Sequence, residues 1–370
     1  MNTPPPSTEE VNEAAKALHD GELVAFATET VYGLGADADN DAAVQKIFKL
    51  KGRPNNHPLI VHIAHWASVE HYAHNIPDFA KTLMKTFWPG ALTLILHKRP
   101  GVAMSATANA ESIGLRWPSH PLAIALLRQA HLLGVHGVAA PSANRFGRVS
   151  PTRAHHVRDE FGPDLRVLGS SECDIGIEST IIDCTRGQPI LLRPGLIDQT
   201  ALEEALNMPI ILQSELVSVD KATRGESHED ASSLGALKKT APKASGTLAS
   251  HYAPRARVRL MTASQILTEL GSRGVHPISV PTQSPLSSPT SPKTALWVRD
   301  RELQAHSRSS DIVIQTMPNN PKESAHALFA TLRDFDALGV NEIWIETPPK
   351  GSSWAGVYDR LSRASHTDTK

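Results

Sequence analysis

Two threonines, a glutamate, a tyrosine and two glycines crowd into Ala27-Thr28-Glu29-Thr30-Val31-Tyr32-Gly33-Leu34-Gly35-Ala36, directly after the apolar run Leu23 to Ala27. A buried strand seldom ends on such a set for packing reasons alone. Glycine lacks a Cβ and lets backbone approach a ligand, and the hydroxyls and carboxylate at the strand end are expected to face it. One helix later, Lys49-Leu50-Lys51-Gly52-Arg53-Pro54 sets Lys51 and Arg53 around a glycine, chemistry suited to a triphosphate or a carboxylate. The plainer alternative is a solvated basic helix end favoured by the macrodipole. Further on, Pro141-Ser142-Ala143-Asn144-Arg145-Phe146-Gly147 puts a hydroxyl, an amide and a cation after a buried run, either a plain turn or a seat for the adenosine or phosphate part of a ligand. Gly176-Ile177-Glu178-Ser179-Thr180 opens a strand with hydroxyls, as the first segment closes one. Ile190 to Leu192 ends at Arg193-Pro194-Gly195, and an arginine at the end of a buried strand needs a phosphate or a carboxylate as partner. Together these segments point to a site for a small polar substrate and an anion.

Other chemistries find less support. His62 sits in Leu59-Ile60-Val61-His62-Ile63, on the face opposite Val61 and Ile63, where it is either a satisfied core histidine or a ligand-facing one. The set His57, His62, His65, His71 and His74 mixes strand and helix periods, with no HExxH and no cysteine partner, so no structural metal is expected. There is no GxSxG elbow and no GxxxxGK[ST] loop. Cys173 and Cys184 have neither zinc nor redox spacing and read as small buried residues of a reducing cytosol. With 37 basic and 38 acidic residues the net charge is -1, which argues against a nucleic-acid coat and leaves room only for a local basic cleft. Met1 to Ser7 lacks the cationic and apolar pattern of a leader, and no apolar run reaches the length of a membrane span, so a cytoplasmic protein with no membrane contact is expected.

These residues need elements to hold them. Ser7 and Glu10 form a capping box for a helix ending near His19 and Gly21. Strands are expected over Leu23 to Ala27, Leu59 to Ile63, Ala91 to Leu96, Ile113 to Arg116, Thr180 to Asp183 and Ile190 to Leu192, with helices over Asp41 to Leu50, up to Phe87, and over Pro121 to Leu133. Val138 to Ala140 leads into the serine–asparagine loop. The mixture fits an α/β domain with a mixed sheet. From about Ser214 to Ser245 the chain is polar and rich in small residues, as a linker is. Then strands Val258 to Met261, Ala295 to Val298, Ile312 to Ile314 and Glu342 to Ile345 alternate with helices near Ser264 to Leu270, Ser324 to Leu338 and Trp354 to Ser362, the pattern of a smaller Rossmann-like α/β domain. Pro281 to Pro292 reads as a proline- and serine-rich loop insertion. With 370 residues, 40% hydrophobic and 20% charged, the chain divides into a first domain over 8–207, a linker over 208–255 and a second domain over 256–366.

Taken jointly, the segments Thr28 to Ala36, Lys51 to His62, Pro89 to Leu94, Ile113 to Pro118, Pro141 to Pro151, Gly176 to Asp183 and Leu192 to Gly195 resemble, in order, the Sua5 family of threonylcarbamoyl-adenylate synthases, the long relatives of the YrdC family. Ser245-Gly246-Thr247-Leu248-Ala249-Ser250-His251-Tyr252-Ala253-Pro254 resembles the linker of the long form, although versions rich in proline and basic residues around the glycine differ from it. Asp359-Arg360-Leu361 resembles that family's C-terminal helix. The resemblance implies a YrdC-like mixed twisted sheet with flanking helices, and a reaction in which L-threonine, bicarbonate and ATP give threonylcarbamoyl-AMP and pyrophosphate. The product then passes to the machinery that makes N6-threonylcarbamoyladenosine in tRNA, and any direct RNA contact is expected to be weak. It implies a threonine pocket of Thr30, His62, Arg116, Ser142 and Ser179. ATP contacts are implied for Arg53, His57, Ser112, Asn144, Ser150, Arg193 and Tyr252, where His57 stands at a position often asparagine in relatives. Lys51 and Arg53 are the implied catalytic cations, and 245–254 a lid over the nucleotide. Magnesium is expected to arrive with ATP, without a protein cage. Carbamate chemistry of this kind needs positioning and charge neutralisation more than a protein nucleophile. The rivals are a structured-RNA-binding module without synthase activity, and a carbamoyl-transfer domain of the hydrogenase-maturation type, whose cysteine pairs this chain lacks.

Overall fold

The computed structural model describes residues 7–215, 242–244, 246, 248, 251–273, 275, 293–304 and 311–366. The expected loop insertion Pro281 to Pro292, most of the linker and part of the 245–254 strip lie outside the described residues. The chain forms two compact units, one from the described residues of 1–146 and 150–247, the other from Gly147–Val149 with those of 248–370.

The first unit is an α/β fold. Its helices are α1 (Thr8–His19), α2 (Asp41–Lys51), α3 (Trp66–Tyr72), α4 (Asp78–Phe87), α5 (Pro121–Leu132), α6 (Ala154–Phe161) and α7 (Gln199–Leu206). The strands are β1 (Val24–Phe26), β2 (Gly33–Asp37), β3 (Ile60–His62), β4 (Leu92–His97), β5 (Ser112–Arg116), β6 (Val138–Ala139), β7 (Arg166–Leu168), β8 (Thr180–Asp183), β9 (Ile190–Arg193) and β10 (Ile211–Leu212). They join in one mixed sheet in the order β10-β9-β8-β4-β5-β3-β6-β2-β1-β7. Local signals set the ends. The capping box of Ser7 and Glu10 starts α1, and Gly52 stops α2 in the left-handed region at φ 63°.

Strand alternation gives the middle of the sheet two different faces. Leu92, Leu94, Leu96, Ile113, Leu115 and Val61 belong to the large apolar core that also holds residues of α2 and α4. Their neighbours Thr93, Ile95, Ser112, Gly114, Arg116, Ile60 and His62 fall on the opposite face. Lateral register confirms the row, with Arg116 opposite both Thr93 and His62. One face therefore anchors the sheet, and the other presents the polar residues that the sequence singles out.

The first segment behaves differently from its expectation. Gly33 and Gly35 lie inside β2, paired with β1, so Ala27 to Tyr32 is the connection of an antiparallel pair. A Cβ on Gly35 would lie 2.8 Å from both Phe26 and Val138, so this glycine serves close packing within the sheet. The short elements β2, α6, β7, α7 and β10 are absent from the sequence expectation. Gly-Leu-Gly-Ala-Asp has no β-branched residue and pairs only because β1 and β6 flank it. Both cysteines are buried free thiols, as expected.

The second unit has four parallel strands, β11 (Arg257–Met261), β12 (Thr294–Val298), β13 (Ile312–Thr316) and β14 (Glu342–Glu346), in the order β11-β14-β12-β13. Helices α8 (Ala263–Ser272), α9 (Arg301–Gln304), α10 (Pro321–Ala337) and α11 (Ala355–Ser365) alternate with them. The result is the expected small open α/β fold. Its core packs Met261, Ile266, Leu270, Leu296, Val298 and Trp344 together.

Candidate active site

The loop between β1 and β2 is tied internally and from outside. The Thr28 hydroxyl accepts from the backbone N–H groups of Thr30 and Val31 (3.2 and 3.3 Å) and donates to the Val31 carbonyl (2.7 Å). Backbone N–H groups of Ile175 and Gly176 donate to the carbonyls of Glu29 and Thr30 (2.7 and 3.1 Å). Arg116, from the end of β5, enters this loop. Its Nη1 donates to Thr30 Oγ1 at 2.8 Å, its Nε to the Gly90 carbonyl at 3.3 Å, and its Nη2 lies 2.7 Å from Glu29 Oε1. Both side chains of the ion pair are 5% exposed. Burial works to raise the Glu29 carboxyl, but the Arg116 guanidinium, together with backbone hydrogen bonds at Ser119 and Glu29, offsets it and leaves the group below its ordinary value. Glu29, expected to face a ligand, instead holds the arginine in place.

His62 is the cross-strand neighbour of Arg116 and meets Phe26 edge-on at 6.3 Å. Burial, and then the nearby Arg116 cation, push its pKa down to about 3, so the imidazole is neutral at physiological pH. On the other side of Arg116, Thr93 Oγ1 and Ser179 Oγ share a hydrogen bond of 2.7 Å. Ser179 is also a partner of Arg193. The guanidinium donates through Nε and Nη2 to the Ser179 carbonyl (3.1 and 2.9 Å) and through Nη2 to its hydroxyl (3.2 Å). This carbonyl is a partner beyond the phosphate or carboxylate that the sequence suggests for Arg193. Gly195 makes this approach feasible, since a Cβ there would lie 2.5 Å from the Thr180 nitrogen.

The cationic segment packs beside these residues. Arg53, buried at 7% exposure, donates to the carbonyls of Pro58 (3.2 Å) and His57 (3.4 Å) and lies over the Phe146 ring at 5.5 Å. His57 meets the same ring edge-on at 5.6 Å. Lys51 is a buried cation whose Nζ donates to the carbonyls of Ser142 and Asn144. Burial, then the neighbouring Arg53, push its pKa well below the ordinary range. The bland expectation of a solvated basic helix end is thus excluded, because both cations are buried and support loop backbone.

The serine–asparagine loop touches the first loop through a bridge between Gly33 and Ser142 and through Ala143 N–H donating to the Tyr32 carbonyl (2.8 Å). Asn144 Nδ2 donates to the Arg145 carbonyl at 2.8 Å, and Ser150 Oγ donates to Glu178 Oε1 at 2.6 Å. Ser112, at the start of β5, lines a small cavity with Thr93, Thr107, Gly114, Ile181 and Lys243. Tyr252 belongs to the second unit. Its buried ring lies against Phe329 (5.3 Å) and His251 (4.1 Å), with the Arg360 guanidinium 5.5 Å from it. Thr93 and Lys243 are additions to the expected set. The alternation in Leu92-Thr93-Leu94-Ile95 signals the first, and nothing local signals the second.

The arrangement joins a buried arginine, a neutral imidazole and paired hydroxyls, suited to a small zwitterion, to a cationic strip suited to phosphates. Comparisons with known proteins identify the family. Residues 16–195 match the Sua5, YciO and YrdC family model described as "Telomere recombination", and residues 197–366 match the model "Threonylcarbamoyl-AMP synthase, C-terminal domain". The chain is 35% identical over 362 residues to the threonylcarbamoyl-AMP synthase of Bacillus subtilis (strain 168), covering 96% of this chain and 93% of that protein. It is 35% identical over 353 residues to the synthase of Pyrococcus abyssi (strain GE5 / Orsay), covering 95% and 93%. The crystal structure of P. abyssi Sua5 complexed with L-threonine superposes with a TM-score of 0.77 at 32% identity, covering 97% of this chain and 95% of that one.

Proposed function

This chain belongs to the Sua5 family of threonylcarbamoyl-AMP synthases, and from that premise we propose that it converts L-threonine, bicarbonate and ATP into threonylcarbamoyl-AMP and pyrophosphate as a nucleotidyltransferase. The observation that carries the reading is Arg116, buried between Thr30 and Glu29 on the sheet face that also holds His62, Thr93 and Ser112. In this reading Thr30, His62, Arg116, Ser142 and Ser179 form the threonine pocket. The guanidinium offers a partner to the substrate carboxylate, and the hydroxyls offer partners to its side chain.

The threonine nitrogen attacks the carbon of bicarbonate, giving a carbamate with loss of water. A carbamate oxygen then attacks the α-phosphorus, the bond from that phosphorus to the β-phosphate oxygen breaks, and pyrophosphate leaves with the electron pair. Every step asks for orientation and neutralisation of charge. Arg53, His57, Ser112, Asn144, Ser150 and Arg193 are the proposed ATP contacts. Lys51 serves by holding the Ser142–Asn144 backbone in place. Tyr252 is a further proposed ATP contact. Mg2+ enters as part of the ATP substrate, its hard oxygen donors being the phosphates. Among the described residues no three His, Cys, Asp or Glu side chains converge on a metal position. The product serves N6-threonylcarbamoyladenosine formation in tRNA, in the cytoplasm. No helix among the described residues is long and apolar enough to cross a membrane.

The test is direct. Pure protein incubated with ATP, labelled bicarbonate and L-threonine is expected to release pyrophosphate only when threonine is present and to form a labelled adenylate. Pyrophosphate release without threonine, or no labelled adenylate, overturns the reading.

A further inference from the structure

The face of the sheet that carries Ser112, Gly114 and Arg116 also carries Ile95 and Ile181, which cluster with Ile190 and Leu192. Ala244 packs against this isoleucine-rich patch. A linker residue is therefore anchored by apolar contact within the first unit, and its neighbour Lys243 is carried to the cavity that Pro58, Thr107 and Ser112 line. The Pro58 carbonyl of that lining is the one that accepts from Arg53. Lys243 itself is exposed and makes no hydrogen bond or ion pair among the described residues. The His57 imidazole senses both cations: burial first, then Arg53 and Lys243, lower its pKa.

Two cations that act on one imidazole, one of them lining the adjoining cavity, make a local positive field that suits a polyanion. We propose that Lys243 binds the pyrophosphate moiety of ATP, adding a linker-borne cation to the strip of Arg53 and His57. The assignment rests on the synthase reading only for the identity of the substrate, since the chemistry recognised is a polyphosphate. An ammonium on a flexible stem suits this task.

The experiment is calorimetric titration of the full chain with inorganic pyrophosphate, for the wild type, Lys243→Gln and Lys243→Arg. Lys243→Gln is expected to weaken binding roughly fivefold, the scale of an exposed ion contact. Lys243→Arg is expected to stay close to wild type, and the Gln deficit to shrink at high salt. In steady state, Lys243→Gln is expected to raise KM for ATP and leave KM for L-threonine unchanged. Equal pyrophosphate affinity in wild type and Lys243→Gln overturns the proposal, as does a deficit that arginine does not restore or an equal rise in both KM values. A wild-type protein that binds pyrophosphate yet forms no adenylate refutes the synthase reading alone, and the titration still decides Lys243.

Discussion

At the scale of single residues, the ion pair of Glu29 and Arg116 is the most consequential contact of the site. Both side chains are 5% exposed, so removing one partner leaves an uncompensated buried charge. Glu29→Gln is expected to lose about 3–5 kcal/mol of stability in urea unfolding, the range found when one member of a buried pair is removed. A loss under about 1 kcal/mol would show that the pair is not what holds the arginine. His62 makes a prediction of opposite origin. Its pKa falls from 6.5 to about 3 on folding, so between those values the unfolded chain binds a proton that the folded chain refuses. Stability is fully present above pH 6.5 and is lost as pH falls toward 3. One such group contributes a slope of up to about 1.4 kcal/mol per pH unit. His62→Gln should flatten the acid limb of the stability profile by that amount, and an unchanged slope between pH 4 and 6 would contradict a buried neutral imidazole. The concentration of polar residue types in this region was legible in the sequence, because hydroxyls at a strand end and two cations about a glycine stand out from the apolar runs around them. The partnerships were not. Glu29 with Arg116 spans two segments far apart in the chain, and Lys51 reaches carbonyls of a third, so no local pattern encodes either.

At the scale of elements, period-two alternation in β4 and β5 places Thr93, Ser112, Gly114 and Arg116 on one face, and it could be read from the sequence strand by strand. The order β8-β4-β5-β3 that sets those strands side by side could not, since it depends on long-range pairing. Short elements were the least legible, because two or three residues carry no period; β2 escaped because two glycines in five residues argue against a strand until its neighbours are known. Gly114 offers a test of the face. A Cβ built there meets Thr93 and Ile60 at 3.5 and 3.6 Å, which is ordinary contact, so the sheet itself tolerates alanine. A larger side chain projects into the cavity that Gly114 lines with Thr93, Thr107 and Ser112. Gly114→Val is therefore expected to keep thermal stability near wild type while lowering kcat/KM about tenfold or more through substrate exclusion, and Gly114→Ala to sit between the two. Unimpaired kinetics for the valine variant would place the substrate elsewhere.

At the scale of the whole molecule, two units share one site-bearing loop along the chain. Asn144 and Ser150 belong to the first unit, yet Gly147–Val149 between them group with the second. There, Ala253 N–H donates to the Gly147 carbonyl (2.9 Å), Arg148 lies 3.9 Å from Asp336, and Arg333 donates to the Val149 carbonyl. Composition marks a boundary near the linker, but it cannot show that three residues far upstream pack with the C-terminal part of the chain. This organisation decides where a truncation is informative. A chain ended at Met208 would lose Ile210, which is buried in the first core, and β10, which pairs with β9. A chain ended after Glu215 keeps both, and from the first unit's apolar clusters it loses, among the described residues, the packing of Ala244. That shorter chain is expected to unfold cooperatively on heating. Its Asn144–Ser150 connection, however, loses the three anchoring contacts, and Lys243 and Tyr252 are gone. Displacing a positioning group by about 1 Å can lower a rate roughly 100-fold, so adenylate formation should fall at least about tenfold, with KM for ATP rising more than KM for L-threonine. Measuring kcat and both KM values beside a melting curve separates lost positioning from lost folding. A truncated chain that stays folded and matches the full chain in rate would refute any role of the second unit in holding the nucleotide loop.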